Sequence, residues 1–479
     1  MPIFKNILTN LPEVESPADK KVEFKSRLKW TLLILVFFFI LGLVPLYGLG
    51  QNALSNFEFL SIILGASFGS MISLGIGPIV TASIVLQLLT GSGILKLDTA
   101  SHEGRVYFQG LQKFLAFFFI IFEAAIYVLM GGLAPALTLH PTLFVTAQIL
   151  LIIQLIIGGI LILYMDEVIN KFGLGSGVSL FIVAGVASSV FVRAFSPLTT
   201  AGTWAFGSGQ PPVGKLWVLF ISLLGRNPTG ALLALAAILA TIFIFLISVY
   251  VQSMKVEIPL SFGRVRGHGI RWPLNFMYTS NIPVILVAAL LANVQLLARL
   301  VQGSVQDNTS GIMLWISQNI LGQYSGNIAT SGLARLVTPP LIIENIITGS
   351  FQALDLLQAL SYILFFVVGS IIFSIFWVQT AGLDAGSQAN QILKSGLQIP
   401  GFRRDKRVLE QVLSRYIGPL TVMGAIAVGL LASGADVLGA LTNGTGLLLS
   451  VMIIYRLYED IAHKYLMEMN PMFRKVMGK

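Results

Sequence analysis

The sequence predicts an all-α polytopic membrane protein of ten transmembrane helices in two five-helix halves of opposite orientation. Three observations carry that expectation: the composition, a series of apolar runs of membrane-crossing length, and a lopsided distribution of basic residues between them. Of 479 residues, 55% are hydrophobic and only 11% charged, and the mean hydropathy is +0.84. No water-soluble globule has that balance, whereas a chain that lies mostly in lipid does. There is no cysteine, which excludes disulfides, thiolate metal sites and thiol redox chemistry. The first apolar run begins at Trp30, behind Glu13, Glu15, Asp19 and Glu23. That is not the pattern of a cleavable signal, so the first span is expected to direct insertion itself.

In chain order, Ile3, Phe4, Ile7, Leu8 and Leu11 recur at helical spacing, so residues 2–11 read as an amphipathic interfacial helix stopped near Pro12. Span 1 is expected at 29–46 and span 2 at 76–89, followed by spans at 106–130, 142–165, 176–195, 229–252, 276–299, 353–379, 414–433 and 436–458. This divides the chain into a cytoplasmic N-terminal segment (1–28), a first half (29–195), an external connection (196–228), a second half (229–458) and a cytoplasmic tail (459–479). With ten spans both termini share one side. That side receives 25 of the 30 Lys and Arg residues, and the other holds only Arg193, Lys215, Arg226, Arg299 and Arg335. The positive-inside rule then makes the terminal side cytoplasmic, and it accounts for the basic charge without nucleic acid.

One stretch departs from ordinary membrane helix. Between Glu58 and Lys96 lies an uncharged run far longer than the ~20 residues that cross a bilayer once. Its first part holds Gly65, Ser67, Gly69, Ser70, Ser73, Gly75 and Gly77, which weaken helix propensity, and Pro78 then suits the first turn of a new helix. A short helix that enters the membrane and breaks is expected, and broken backbone at that depth is tolerated only where protein buries it or a cavity lines it. Pro78 in span 2 and Pro283 in span 7 place a proline in the second helix of each half. With five spans per half, the halves must be inverted, an arrangement that puts a site between them at the midplane.

The chemistry of enzymes is missing. His102, His140, His268 and His463 are scattered, with no helical pairing and no carboxylate cluster beside them, so no metal or cofactor is expected. Gly209–Lys215 reads GQPPVGK, but Leu216 stands where a phosphate-binding loop needs Ser or Thr, and two prolines remove backbone donors. Asn308-Thr309-Ser310 is a glycosylation sequon on the external side. Glu123 lies within span 3, where an ionisable group should face protein or water and have a partner. An inverted-repeat secondary transporter is the competing class, but it would need more intramembrane acid than this.

The runs LGIGPIVTASIVLQLL (74–89), YMDEVINKFGLGSGVSLFI (164–182), VEIPLSFGRVRG (256–267), YTSNIPVIL (278–286), FWVQTAGLD (376–384), GFRRDKRVLEQVLSRYIGPLTVMG (401–424) and NGTGLLLSVMIIYRLYE (443–459) resemble SecY of the archaeal and eukaryotic type, the channel subunit of the Sec protein translocon. The resemblance extends from Pro12 to the tail and is weakest over 300–352.

It implies a central hourglass pore and a re-entrant plug helix. The ring of aliphatic side chains that seals such pores maps onto Ile76, Val80, Val178, Ile182, Ile285 and Leu449, with Val178 smaller than isoleucine. The plug maps onto 58–70, with Glu58, Phe59, Leu60, Ile62, Ile63, Leu64, Gly65, Ser67, Phe68 and Gly69. A lateral gate to lipid, between spans 2 and 3 and spans 7 and 8, would carry Thr81, Gln87, Glu123 and Asn293. Loops 6/7 and 8/9 would dock the ribosome through Arg264, Arg266, Arg403 and Arg404, pairing with RNA phosphates. The implied partners are SecE, the beta subunit, the ribosome, signal peptides, nascent polypeptides and membrane lipids. The implied location is the plasma membrane.

Overall fold

The computed structural model describes residues 11–17, 22–52, 66–91, 94–95, 102–135, 141–199, 203–206, 209–262, 269–279, 282–305, 315–325, 328–394, 397–398, 405–442 and 444–469. Ten helices correspond to the expected spans: Phe24–Leu43, Gly77–Gly91, His102–Leu129, Pro141–Phe172, Gly177–Phe195, Pro228–Ser253, Ile282–Val305, Ala353–Thr380, Lys406–Val437 and Gly444–Met469, called spans 1 to 10 below. Eight of them are long and apolar enough to cross a bilayer by length and composition alone. The two others are informative. Span 2 has 15 residues, a rise of about 22 Å, so the turns before it must complete the crossing. Span 10 is apolar only over its first half and then turns charged from Arg456.

Several boundaries differ from those expected, for local reasons. Span 4 runs to Phe172 and span 9 begins at Lys406 because a helix continues past the membrane wherever soluble contacts bury its face. Span 10 begins at Gly444, not at 436, because the chain turns at Gly439 with φ 66°. Pro78 and Pro283 are each the second residue of their helix, where a missing N–H costs nothing, so neither kinks a helix interior. The 2–11 helix expected from periodicity falls almost wholly outside the described residues, and the Asn308 sequon and most of the plug do so entirely.

The internal repeat is visible in the packing. In the first half span 1 packs on spans 4 and 5, while 2 meets 3, 3 meets 4 and 4 meets 5. In the second half span 6 packs on spans 9 and 10, while 7 meets 8, 8 meets 9 and 9 meets 10. Between the halves run two seams: span 5 against span 10, and span 2 against spans 7 and 8. One continuous apolar core fills the space between them, and the outer faces of spans 1, 4, 6 and 8 carry exposed large hydrophobics that suit lipid contact.

Strands add what apolar periodicity did not predict. Lys255–Phe262 and Gly269–Asn275 form an antiparallel hairpin between spans 6 and 7, and Leu397–Gln398, from the connection between spans 8 and 9, pairs with Ser261 and Phe262 as a third strand. Ile258 and Leu274 of the hairpin pack with Ile392 of the helix Ala385–Lys394 and with Leu409 and Leu413 of span 9 in a second core. Tyr278 donates to the Leu383 carbonyl at 2.7 Å, and burial pushes its hydroxyl up to about 12, which keeps it a neutral donor. Across the membrane, Lys215–Leu224 forms a short helix with no buried residue, which packs back on span 6. At its start the Val213 and Gly214 amides of GQPPVGK donate to the Leu198 and Ser196 carbonyls.

Residues 66–76 are turns rather than helix, and many of their polar groups bond within the protein. Leu46 N–H donates to Gly69 and Met71 N–H to Val44, tying the segment to the end of span 1. The serines bond the segment to itself: Ser70 Oγ to Ser67 O at 2.7 Å, and Gly69 N–H to Ser73 Oγ at 2.9 Å. Gly158 of span 4 lets this backbone approach, since a Cβ there would lie 1.8 Å from Met71 O. Gly158→Ala is therefore expected to destabilise the protein by about 1–3 kcal/mol, as overpacking does. Thermal unfolding in detergent checks this against Gly434→Ala, where an added methyl meets nothing within 4 Å and stability should hold or rise.

Candidate functional site

A cavity of about 530 Å³ opens between spans 2, 3, 4, 5, 7, 8 and 10 on the face that carries residues 11–17. Polar groups surround its mouth, among them Asp166, Asn170, Arg456 and Asp460. Val80, Val178 and Ile285 are among its aliphatic lining residues. Helix geometry then locates the other three ring candidates. Ile76 precedes Val80 by four residues, Ile182 follows Val178 by four, and Leu449 precedes Ile453 of the wall by four, so each lies one turn from a lining residue. Those three are 1%, 0% and 0% exposed. All five of the ring candidates other than Val178 belong to the main core, and Val178 packs against it. The cavity thus adjoins aliphatic side chains of spans 2, 5, 7 and 10 that belong to the main apolar core or pack on it.

Among the described residues no group of three or more His, Cys, Asp or Glu side chains could hold a metal. Val80, Val178 and Ile285 give this part of the wall an uncharged aliphatic surface.

At the seam between the halves, Thr81 of span 2 is a bridge. Its hydroxyl lies 3.1 Å from Glu123 Oε1 of span 3, and Asn293 Nδ2 of span 7 donates to it at 3.2 Å. It is also 2.9 Å from the Gly77 carbonyl. One hydroxyl proton serves one acceptor at a time, so Thr81 alternates between Glu123 and its own helix whenever the carboxyl does not itself donate. Gln87 does not join this group. It is buried in the cavity wall, a turn and a half further along span 2.

A family model described as SecY matches residues 70–458. The chain belongs to the SecY family. It is 44% identical to the protein translocase subunit SecY of Methanothermobacter thermautotrophicus over 99% of this chain and 98% of that protein. It is 40% identical to the SecY of Methanocaldococcus jannaschii over 99% of both. Among solved structures, one described as a protein-conducting channel superposes with a TM-score of 0.79 at 39% identity, over 96% of this chain and 97% of that one. Sec61 in the canine ribosome-channel complex from the endoplasmic reticulum gives 0.76 at 37%, over 96% and 97%.

The other SecY-type positions fall as follows. Of the plug candidates only Ser67, Phe68 and Gly69 are described; Glu58, Phe59, Leu60, Ile62, Ile63, Leu64 and Gly65 lie outside the described residues. Phe68 stands edge-on to Tyr127 of span 3 at 6.4 Å, its carbonyl accepts from Asn52 Nδ2 at 3.0 Å, and Gly69 adopts φ 94°. Arg264, Arg266, Arg403 and Arg404 are also outside the described residues. Two other basic residues of loop 6/7 are paired within the chain: Lys255 with Glu459 at 2.6 Å and Arg271 with Glu257 at 3.0 Å. The Glu459 carboxylate holds the Lys255 ammonium above its ordinary value, partly offset by burial.

Inspection of residue types alone missed a clasp at the end of span 4. Glu167 pairs with Lys113 of span 3 and accepts the Val14 amide at 3.0 Å, while Lys171 reaches Glu13 at 3.0 Å and the Val14 carbonyl. The density of charge in DEVINK was the available signal. Thr81→Val is expected to leave Glu123 and Asn293 without their common partner at a cost of about 1–3 kcal/mol. Thermal unfolding should show Thr81→Ser, which keeps the hydroxyl, close to wild type.

Proposed function

We propose that this chain is a passive protein-conducting channel. It passes unfolded secretory polypeptides through its centre and releases transmembrane segments sideways into lipid, driven by a translating ribosome or another motor. The observation that carries this reading is a cavity lined by Val80, Val178 and Ile285 against the main apolar core, in a chain of the SecY family. Ile76, Val80, Val178, Ile182, Ile285 and Leu449 form the seal in this reading. Uncharged, deformable side chains close around an extended chain of any sequence, offer it no fixed charge to stop at, and disfavour a water file when it is absent. The segment containing Ser67, Phe68 and Gly69 belongs to a plug on the far side.

Thr81, Glu123 and Asn293 latch the lateral gate. An apolar signal segment entering between spans 2 and 7 replaces these few hydrogen bonds with buried surface worth about 25 cal/mol per Å², so several kcal/mol are available for opening. The small number of hydrogen bonds matters, because a gate held by a large apolar interface would not yield to one helix.

In this reading the basic side is cytoplasmic, both termini lie there, and the chain resides in the plasma membrane with SecE and the beta subunit. Arg264, Arg266, Arg403 and Arg404 contact ribosomal RNA phosphates. The third strand and the shared core give loops 6/7 and 8/9 a common base.

Two measurements test the proposal. Ile182→Gly with Ile285→Gly, reconstituted with the partner subunits in planar bilayers, should raise ion conductance of the resting channel well above wild type; unchanged conductance with proton-coupled solute uptake would make the chain a transporter. Replacing Arg266 and Arg403 with alanine should weaken ribosome binding and flatten its dependence on salt, by about one unit of slope in log K against log salt for each phosphate that is no longer neutralised.

A further inference from the structure

The two helices that meet along the seam between spans 5 and 10 begin in the same unusual way. Each opens on glycine followed by a β-branched residue, Gly177-Val178 and Gly444-Thr445. Ser176, which precedes span 5 where an N-cap belongs, makes no side-chain cap bond. The cap comes from the preceding span instead. Asp166 Oδ1 of span 4 accepts the Val178 amide at 2.8 Å, and Asp436 Oδ1 of span 9 accepts the Thr445 amide at 3.0 Å. The adjoining Gly177 and Gly444 amides add to the same carboxylates.

The second oxygen of each carboxylate is held as well. Asn170 Nδ2 donates to Asp166 Oδ2 at 3.0 Å; Tyr362 of span 8 donates to Asp436 Oδ2 at 2.8 Å, as does the Thr445 hydroxyl. Both glycines are required by the approach. A Cβ on Gly177 would stand 2.6 Å from Asp166 Oδ1, and one on Gly444 would stand 2.1 Å from the Ala435 carbonyl carbon. The halves are inverted, so one cap lies beside the cavity mouth and its counterpart near the opposite end of the fold.

Distance along the helix ties these caps to the seal. Val178 is itself a capped residue, Ile182 lies four residues beyond it, and Leu449 lies four residues beyond the capped Thr445. An α-helix rises 1.5 Å per residue, so fixing its first turn fixes how deep the next turn sits. We infer that Asp166 and Asp436 are paired positioning residues, one in each half, that set the depth at which spans 5 and 10 present Val178, Ile182 and Leu449 to the pore. The inference rests on the reading of those side chains as the seal.

The test uses the full complex in planar bilayers, with alanine, asparagine and glutamate at each aspartate. Asparagine keeps an acceptor oxygen at the same reach; glutamate keeps the charge but lengthens the arm by a methylene. The expected resting leak is severalfold above wild type for Asp166→Ala, Asp436→Ala and both glutamate variants, and close to wild type for both asparagine variants. Restoration by glutamate but not asparagine would make the requirement one of charge and overturn the inference. If an alanine variant does not assemble, the comparison of asparagine with glutamate decides alone. Sealed bilayers from every aspartate variant, beside leaking Ile182→Gly and Ile285→Gly channels, would overturn the inference and leave the seal intact. If the glycine variants also fail to leak, the seal reading falls and this inference falls with it.

Discussion

A backbone that stops being helical inside hydrocarbon must find a partner for each amide and carbonyl within the protein, and the turn region 66–76 is where this chain meets that demand. The end of span 1 supplies Val44 and Leu46, and the hydroxyls of Ser67, Ser70 and Ser73 supply much of the rest. Span 4 makes room by offering Gly158 and no side chain. Small polar residues here are thus a local hydrogen-bonding kit. Because the break is accommodated, span 2 can begin at Gly77 and place Val80 in the cavity wall and Thr81 at the seam with span 7 within one turn.

The two seams between the halves differ in kind. Along spans 5 and 10 the contacts are largely apolar, with Arg193 donating to the Leu441 carbonyl at 3.2 Å and the aspartate caps at the two helix starts. Along spans 2 and 7 a short polar bridge spans the gap. Apolar packing is non-directional and tolerates small rotations, whereas a hydrogen bond is broken by about an ångström of stretch. In the proposed mechanism the first seam serves as the hinge and the second as the latch.

Much of this was legible in the sequence. Apolar runs and the distribution of Lys and Arg place ten spans to within a few residues at most ends, because the bilayer imposes length and charge rules that need no tertiary knowledge. The glycines and serines before Pro78 marked the break. What stayed hidden depends on contacts between distant segments. The Lys255–Phe262 hairpin carries prolines at 259 and 273 that argue against strand, and only pairing with its partner and burial of Ile258 and Leu274 overrides them. Glu123 needed a partner, and family resemblance rather than spacing singled out Thr81 and Asn293. Asp166 and Asp436 look like ordinary helix-end acids until the fold brings Val178 and Thr445 beside them.

The three-stranded sheet has a mechanical meaning. Since Ser261 and Phe262 pair with Gln398 and Leu397, and Ile258 shares a core with Val378 and Leu413, spans 6, 7, 8 and 9 converge on one stiff platform. A load applied to the hairpin from outside the membrane would therefore be distributed over four helices at once. The second half would tilt as a unit, and Asn293, midway along span 7, would move with it.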